Sequence, residues 1–152
     1  MGLFGVTLAP PLAAAFVGPS LRNDVTEYTP VGGVPSITPG QPTSMQYTEE
    51  TTDAYMKATE MRNVWVVQDP ANPEGIQVFS PICPHLGCQY DWDKSAKEFH
   101  CPCHGSTFAL DGKHLGGPAP RGLDTLPFKV TNNQLFVKWE SFKLGVAEKV
   151  QV

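Results

Sequence analysis

Four cysteines and two histidines occur in two short loops in the second half of the chain. The first loop, residues 83–88, reads CPHLGC, and the second, residues 101–106, reads CPCHGS. Proline and glycine favour turns in both loops, so that side chains from each can point at a shared centre. Because thiolates and imidazoles are ligands of zinc and of iron–sulfur clusters, the pattern predicts one metal centre between the loops.

One cysteine and one histidine from each loop make a full set of four ligands. These four residues are Cys83, His85, Cys101 and His104. The two remaining cysteines, Cys88 and Cys103, lie just outside the ligand sets and could bridge the loops as a disulfide. Such a bridge would hold the two halves of the site in register.

Three other uses of these residues are less consistent with the sequence. A zinc ribbon draws two ligands from each of two similar knuckles and leaves no spare cysteine beside them, so structural zinc is the less favoured metal. Covalent haem attachment requires two residues between the thiols, whereas one residue separates Cys101 from Cys103. A cysteine protease needs one reactive thiol, which does not explain four clustered cysteines.

The composition limits the classes of function further. The chain has 152 residues, of which 17% are charged and 41% hydrophobic, as is typical of one folded domain rather than a disordered polyelectrolyte. Its 14 glycines and 15 prolines argue against a helix bundle. The formal net charge of -4 argues against binding to a phosphate backbone, so no nucleic-acid partner is expected.

Short runs of β-branched and aromatic residues, separated by turn formers, predict an all-β fold. The expected strands are residues 44–48, 54–58, 64–68, 76–82, 125–131 and 134–139. Residues 69–75 are expected to form a hairpin turn, and so is the Asn132-Asn133 pair, because asparagine accepts positive φ. One short stretch, residues 53–61, is considered as a helix but lacks an apolar period.

The first 42 residues differ in character from the rest. Residues 1–21 contain no ionisable side chain, and a helix of about 20 residues would just cross a bilayer core of roughly 30 Å. We therefore expect a membrane anchor there, of borderline length or lacking its first turn. A signal peptide would carry a positively charged start, and a buried apolar arm is the other alternative. Residues 22–42 are rich in glycine and proline, which predicts a hinge and a lead-in strand.

The two loops, with 15 residues between His85 and Cys101, resemble the cluster motifs of the Rieske iron–sulfur proteins. Residues 117–120, which read GPAP, resemble the proline loop of that family. The apolar start and the following hinge are similar to the membrane-anchored branch, the Rieske subunits of quinol–cytochrome c reductases and bf complexes, and most of all to bacterial menaquinol-type complexes. The resemblance implies a Rieske domain at residues 43–140, with a cluster-binding subdomain at 81–120 and a tail at 141–152.

The resemblance also implies a 2Fe-2S cluster and a role for each ligand. Cys83 and Cys101 would hold one iron, and His85 and His104 the other. Neutral imidazoles make such a centre less negative, which raises its potential to roughly -150 to +300 mV. His104 is expected to contact quinol, because an imidazole that loses its proton in the oxidised state can take up a proton together with the electron.

Five neighbouring residues are expected to tune or present the site. Ser106 matches the family serine that donates a hydrogen bond to the cluster and stabilises its reduced state. Phe108 stands where ubiquinol and plastoquinol enzymes often have tyrosine; the missing donor predicts a lower potential, suited to menaquinol, although core packing also explains the ring. Leu86, Gly87 and Pro118 are expected to form an apolar tip that docks on cytochrome b, with simple turn geometry as the alternative.

The function implied by the resemblance is electron transfer, within a quinol–cytochrome c oxidoreductase rather than as an independent catalyst. The head would take an electron from quinol at cytochrome b and, moving on its hinge, deliver it to a c-type cytochrome. A disulfide places the head outside the cytoplasmic membrane of a bacterium. Two alternatives are the Rieske subunit of an arsenite-oxidase-like enzyme and a soluble Rieske ferredoxin or oxygenase component, a class that typically lacks the extra cysteine pair.

Overall fold

A computed structural model describes residues 28–34, 37–53, 56–68 and 75–152. Within these ranges the chain forms ten strands and no α-helix, which confirms the predicted all-β fold. The predicted anchor at residues 1–21 and the first part of the predicted hinge lie outside the described residues. In the described part of the chain, no helix has the length and apolar character needed to cross a membrane.

The ten strands form three antiparallel sheets. The first sheet contains β1 (Thr29–Gly33), β9 (Phe128–Thr131) and β10 (Gln134–Val137), with β10 in the middle. The second contains β2 (Thr43–Asp53), β3 (Met56–Val67) and β4 (Gln77–Phe79), in that order. The third contains β5 (Asp91–Asp93), β6 (Glu98–Cys101), β7 (Ser106–Phe108) and β8 (His114–Gly116), in that order. The second ligand loop therefore joins β6 to β7.

Residues 43–67 form one long hairpin, not the three short strands expected at 44–48, 54–58 and 64–68. β2 and β3 pair continuously, from Thr43 opposite Val66 to Asp53 opposite Met56. The first six residues of β3 are exposed, so no buried face selects the apolar alternation from which a strand is recognised. For the same reason the stretch considered as a helix, residues 53–61, is strand in its described part.

The two predicted turns have different outcomes. Asn132 and Asn133 adopt φ values of 51° and 60° and connect β9 to β10, which confirms the predicted hairpin. Most of the predicted turn at residues 69–75 lies outside the described residues, although the flanking strands β3 and β4 pair as a hairpin requires. Strand β1 lies in the middle of the predicted hinge, residues 22–42, and pairs with β10, so this part of the predicted hinge is strand.

Strands β3 and β4 form a wall between two hydrophobic cores. Successive side chains of a strand point to opposite faces. Val66 and its partner Val78 therefore face one core, while the next residues, Val67 and Phe79, face the other. The first, the base core, draws on both three-stranded sheets and contains Ile37, Tyr47, Val64, Val66, Ile76, Val78, Leu126, Leu135 and Val137.

The second core, here called the cluster core, is aromatic and contains two thiols. The ring of Phe99 is in edge contact with four other rings, at centroid distances between 4.9 and 6.2 Å. The core residues are Val67, Phe79, Cys83, Tyr90, Phe99, Cys101, Phe108, Ala119 and Leu123. Because Cys83 and Cys101 are part of this packing, the aromatic core supports the inner side of both ligand loops.

Candidate metal centre

The two ligand loops share one backbone construction. In the first, the N–H of Gly87 donates to the carbonyl oxygen of Cys83 at 3.1 Å. In the second, the N–H of Gly105 donates to the carbonyl oxygen of Cys101 at 3.0 Å. Both glycines have positive φ, 85° and 74°, a conformation that a side chain would strain. Each loop is thus a tight turn that begins at a cysteine.

The four predicted ligand side chains lie together. The thiols of Cys83 and Cys101 are buried and lie close enough for Cys101 to affect the ionisation of Cys83. The imidazole rings of His85 and His104 lie nearly perpendicular, with their centroids 4.8 Å apart. His85 is half-buried and His104 is exposed. The site therefore has two sulfur donors on its buried side and two nitrogen donors toward the surface.

This donor set fits a centre with two metal ions. Two soft thiolates form one pair and two imidazoles form the other, which is the division expected when sulfur holds one iron and nitrogen the second. A single zinc ion would instead need all four donors at one point. The separation of the donors into a buried pair and a surface pair thus favours an iron–sulfur centre over structural zinc.

The surroundings of Cys83 favour its protonated thiol. Burial raises the pKa of Cys83 to about 11, and the neighbouring Cys101 thiol acts in the same direction. Hydrogen bonds from the backbone of His85 and the side chain of Ser106 act in the opposite direction and lower it. Since thiolate is the binding form, the metal must displace a proton here, and binding is coupled to pH.

Ser106 is fully buried, and its hydroxyl lies between two parts of the site. Its Oγ accepts a hydrogen bond from the N–H of Ala119 at 3.1 Å, which leaves the hydroxyl hydrogen free to be donated toward Cys83. Ala119 belongs to the GPAP segment, residues 117–120. The contact shows that this segment lies against the second ligand loop, beside the ligands.

A disulfide joins Cys88 to Cys103, as the sequence predicts. The sulfur of Cys101 lies within 4.8 Å of both bridged sulfurs. Since bridged sulfurs are not thiolates, these three atoms are a disulfide packed against a ligand, not a separate metal site. The bridge connects the two loops beside their ligands.

Gly117 allows the GPAP segment to approach the second loop closely. Its φ is 85°, and a Cβ added there would lie 2.5 Å from the Cα of Ser106, so only glycine fits. The adjacent Pro118 is exposed. In the first loop Leu86 is 62% exposed. The surface of the site thus carries apolar side chains next to the imidazoles.

Phe108 is a core residue. It is fully buried, and its ring lies 6.0 Å from that of Tyr90 and 5.7 Å from that of His114. Core packing therefore accounts for a phenylalanine at this position. The ring also offers no hydroxyl to the site. The remaining histidine, His100, is exposed on β6.

The sequence assigns no role at the site to Arg121, to Asp124 or to the tail at residues 141–152. Arg121 and Asp124 form a buried ion pair with two hydrogen bonds, at 3.0 and 2.8 Å. Arg121 also donates to two carbonyl oxygens of the tail. The single signal in the sequence is a pair of opposite charges three residues apart, a spacing that is common on exposed surfaces and indicates no site.

Comparisons with known proteins give one family. Residues 27–127 match the model of the Rieske [2Fe-2S] domain. The chain is 33% identical over 135 residues to the menaquinol:cytochrome c reductase iron–sulfur subunit of Geobacillus thermodenitrificans, covering 86% of this chain and 78% of that protein. It is 36% identical over 86 residues to a cytochrome b6-f complex iron–sulfur subunit of a Synechococcus strain, covering 56% of this chain and 48% of that protein, about half its length. The crystal structure of a plasma membrane Rieske protein from Synechocystis PCC 6803 is 32% identical, with a TM-score of 0.49, covering 73% of this chain and 99% of that one.

Proposed function

This chain belongs to the Rieske [2Fe-2S] domain family, and on that premise we propose that it is the electron-transfer subunit of a quinol–cytochrome c reductase. The observation that carries the proposal is the pair of buried thiols beneath two adjacent imidazoles. Cys83 and Cys101 would hold one iron, and His85 and His104 would hold the other. When bound, the 2Fe-2S group supplies one-electron redox chemistry at roughly -150 to +300 mV.

His104 is the residue that meets quinol. It is the exposed member of the imidazole pair, whereas His85 is half-buried. With the 2Fe-2S group bound, one ring nitrogen of His104 would hold the group and the other would be available to accept the proton of a quinol hydroxyl, and the electron would pass to the group. An imidazole suits this step because its pKa can be moved across the physiological range by a nearby charge.

The docking partner at the tip is cytochrome b. Leu86 and Pro118 are exposed beside the ligands, and an exposed apolar surface of this kind is typical of a protein contact. Gly87 lets the first loop turn so that Leu86 stands outward. After reduction the head delivers its electron to a c-type cytochrome, the acceptor named in the description of the Geobacillus relative.

Menaquinol is the favoured quinol. Menaquinol has a low potential, so the centre that oxidises it can have a lower potential than the centre that oxidises ubiquinol. Ser106 contributes one hydroxyl next to the ligands, and Phe108 contributes none, which leaves the reduced state with fewer hydrogen bonds. The description of the Geobacillus relative names the same quinol.

We place the head on the outer side of a bacterial cytoplasmic membrane, attached through residues 1–21 and through the part of the predicted hinge that precedes β1. The disulfide between Cys88 and Cys103 supports an oxidising compartment. The same bridge weighs against a soluble ferredoxin or oxygenase component, a class that typically lacks this cysteine pair. A subunit of an arsenite-oxidase-like enzyme shares the head and the bridge, so the experiment below includes its substrate.

The test is metal analysis and an electron paramagnetic resonance spectrum of the dithionite-reduced full chain. We expect iron and sulfide in equal amounts and a Rieske-type signal, which His104→Ala and Cys101→Ala abolish. His100→Ala is the matched control, because this histidine precedes Cys101 by one residue and is exposed outside both loops. Zinc in place of iron would contradict the proposal. In membranes that contain cytochrome b, reduction by arsenite but not by menaquinol would favour the alternative enzyme.

A further inference from the structure

The tail, residues 141–152, is a closed loop rather than a loose end. Phe142 is bridged to Gln151, and the N–H of Lys143 donates to the carbonyl oxygen of Val150 at 2.8 Å. These contacts bring the two arms of the tail together and leave residues 144–148 as a projecting bend. We refer to residues 141–152 as the tail loop.

The bend of the tail loop is packed against the first ligand loop. The N–H of Gly145 donates to the carbonyl oxygen of Pro84 at 2.9 Å. Leu144 lies against Gly87, so close that a Cβ added there would be 3.0 Å from Leu144 Cδ1. Pro84 precedes His85 and Gly87 follows it, so the tail loop contacts the backbone on both sides of a predicted iron ligand.

Arg121 holds the bend of the tail loop by two hydrogen bonds. Its Nη1 donates to the carbonyl oxygen of Val146 at 2.6 Å and its Nη2 to that of Lys143 at 3.0 Å. The same guanidinium pairs with Asp124, and the two side chains are only 9% and 4% exposed. A charge this deeply buried is stable only when it is paired and fully hydrogen-bonded. The carbonyl groups of the tail loop are therefore part of what keeps Arg121 in place, and Arg121 fixes them in return.

Arg121 is also linked to the second ligand loop. It directly follows the GPAP segment, whose Ala119 is hydrogen-bonded to Ser106 and whose Gly117 touches the backbone of Ser106. Around Gly105 of the second loop, by contrast, an added Cβ would meet no atom within 4 Å among the described residues. The tail loop therefore braces the first ligand loop, whereas the second is contacted by the GPAP segment and is open only on the side to which a Cβ of Gly105 would point.

We propose that Arg121 is a positioning residue for His85, which it fixes by holding the tail loop against the first ligand loop. The inference rests on the proposed function, because it takes His85 as an iron ligand. Outer contacts of this kind orient the imidazole and exclude water from its side of the site. His85 is then the rigid nitrogen ligand, and His104 the one that is free to meet a partner.

Two variants distinguish the effect of the tail loop on the first ligand loop from the effect of the ion pair between Arg121 and Asp124. Arg121→Lys keeps the positive charge beside Asp124, but an ammonium group cannot reach Asp124, Val146 and Lys143 together as the planar fork does. Leu144→Ala leaves Arg121 and Asp124 intact and removes the side chain that contacts Gly87; Leu144 is 38% exposed, so this variant is expected to fold. Lys143→Ala is the matched control, because it removes an exposed side chain of the same loop and keeps the carbonyl group that Arg121 binds.

The measurements are made on the full chain loaded with iron and sulfide. In both variants we expect amide hydrogen exchange at Gly145 and Gly87 to be about tenfold faster than in the wild type. Loss of the iron–sulfur absorbance should be about 10–100-fold faster. The reduction potential should rise, because added water solvates the more negative reduced state. Lys143→Ala should match the wild type in all three measurements.

Different results would overturn the proposed function and the proposed role of Arg121. A wild-type chain that binds no iron would end the proposed function and this inference together. If the wild type is loaded, and both variants match Lys143→Ala in exchange, loss rate and potential, only the brace is overturned. Faster exchange with an unchanged loss rate and potential would also overturn it, since the tail loop would then be packing without an effect on the ligand.

Discussion

In the first ligand loop Gly87 donates to Cys83, and in the second Gly105 donates to Cys101, at nearly equal distances and with positive φ at both glycines. As isolated turns the two loops are interchangeable. Their surroundings differ, because Leu144 of the tail loop touches Gly87, whereas the side to which a Cβ of Gly105 would point is open and the GPAP segment packs on the second loop elsewhere. The difference shows that tertiary packing, rather than the turn itself, decides which histidine is held and which is exposed.

This division suits a site that must both keep a cofactor and meet a partner. A ligand loop that is packed on its outer side opens rarely and therefore keeps its metal. A ligand loop that is open can be approached by another molecule. Having both in one centre gives access to His104 without loosening His85, and the predictions below test how separate the two loops are.

The largest effect is expected from removing the disulfide. Cys88→Ala combined with Cys103→Ala should lower the free energy of unfolding by about 3 kcal/mol, the loss expected for a bridge that closes 15 residues. The second loop should loosen more than the first, because it has no tail loop against it. Denaturant unfolding gives the first quantity and amide hydrogen exchange the second; equal loosening of both loops would break the comparison.

The sharpest comparison is between Gly87→Ala and Gly105→Ala. Both variants force a side chain into the left-handed region, at a cost of roughly 1–2 kcal/mol in unfolding free energy. Gly87→Ala should cost about 1 kcal/mol more, because its new Cβ also displaces Leu144. Combining Gly87→Ala with Leu144→Ala is the control and should remove this excess. Equal costs for the two single variants would show that the tail loop does not press on the first loop.

A smaller effect is expected at Phe108, which ends the strand that follows the second loop. Phe108→Tyr adds a hydroxyl on that side, and one new hydrogen bond of about 1 kcal/mol would raise the potential by roughly 40 mV. Redox titration measures the change. Tyr47→Phe is the control, since it changes a buried hydroxyl in the base core. A potential that does not rise in Phe108→Tyr would remove the hydrogen-bond explanation for menaquinol.

The smallest effect at neutral pH is expected from Tyr47→Phe, in the base core and away from both loops. The buried hydroxyl of Tyr47 has no hydrogen-bond partner among the described residues, so its removal should not lower the unfolding free energy and should raise it by at most about 1 kcal/mol. Both ligand loops should keep their exchange rates. A change at either loop would show that the site is not independent of the base core in this respect.

At alkaline pH the contribution of Tyr47 to the unfolding free energy should become measurable. Burial, and then the charge of Glu49, raises the pKa of Tyr47 from its ordinary 10.0 to about 12. A raised pKa means that the unfolded chain loses this proton first, so the stability it contributes is complete below pH 10 and is lost between pH 10 and 12. Tyr47→Phe should flatten that loss in pH-dependent unfolding. Part of it should remain, because burial also raises the pKa of Tyr90.

Local chemistry made part of this protein predictable from sequence. The ligand loops are visible because cysteine, histidine, proline and glycine recur at short spacing, and the Asn132-Asn133 turn is visible because few residues accept positive φ. The all-β class follows from β-branched runs. Each of these signals lies within a few residues of chain.

The features that sequence reasoning missed depend on distant contacts. The outer half of the long hairpin has no buried face, so the period that marks a strand is absent there. Arg121 is notable only because carbonyl groups more than 20 residues away accept its hydrogen bonds. Leu144 and Gly145 carry no chemistry of their own and act through where the chain places them. No local pattern encodes any of these contacts.

The wall formed by β3 and β4 limits how relatives of this protein can differ in length. Val66 and Val67 are neighbours in sequence but belong to different cores. Inserting or deleting one residue in this part of β3 would exchange the two sets of side chains, placing base-core residues among the aromatic rings and the reverse. Loops can grow or shrink freely at the surface. We expect the four positions from Val64 to Val67 to be free of insertions and deletions in homologous chains.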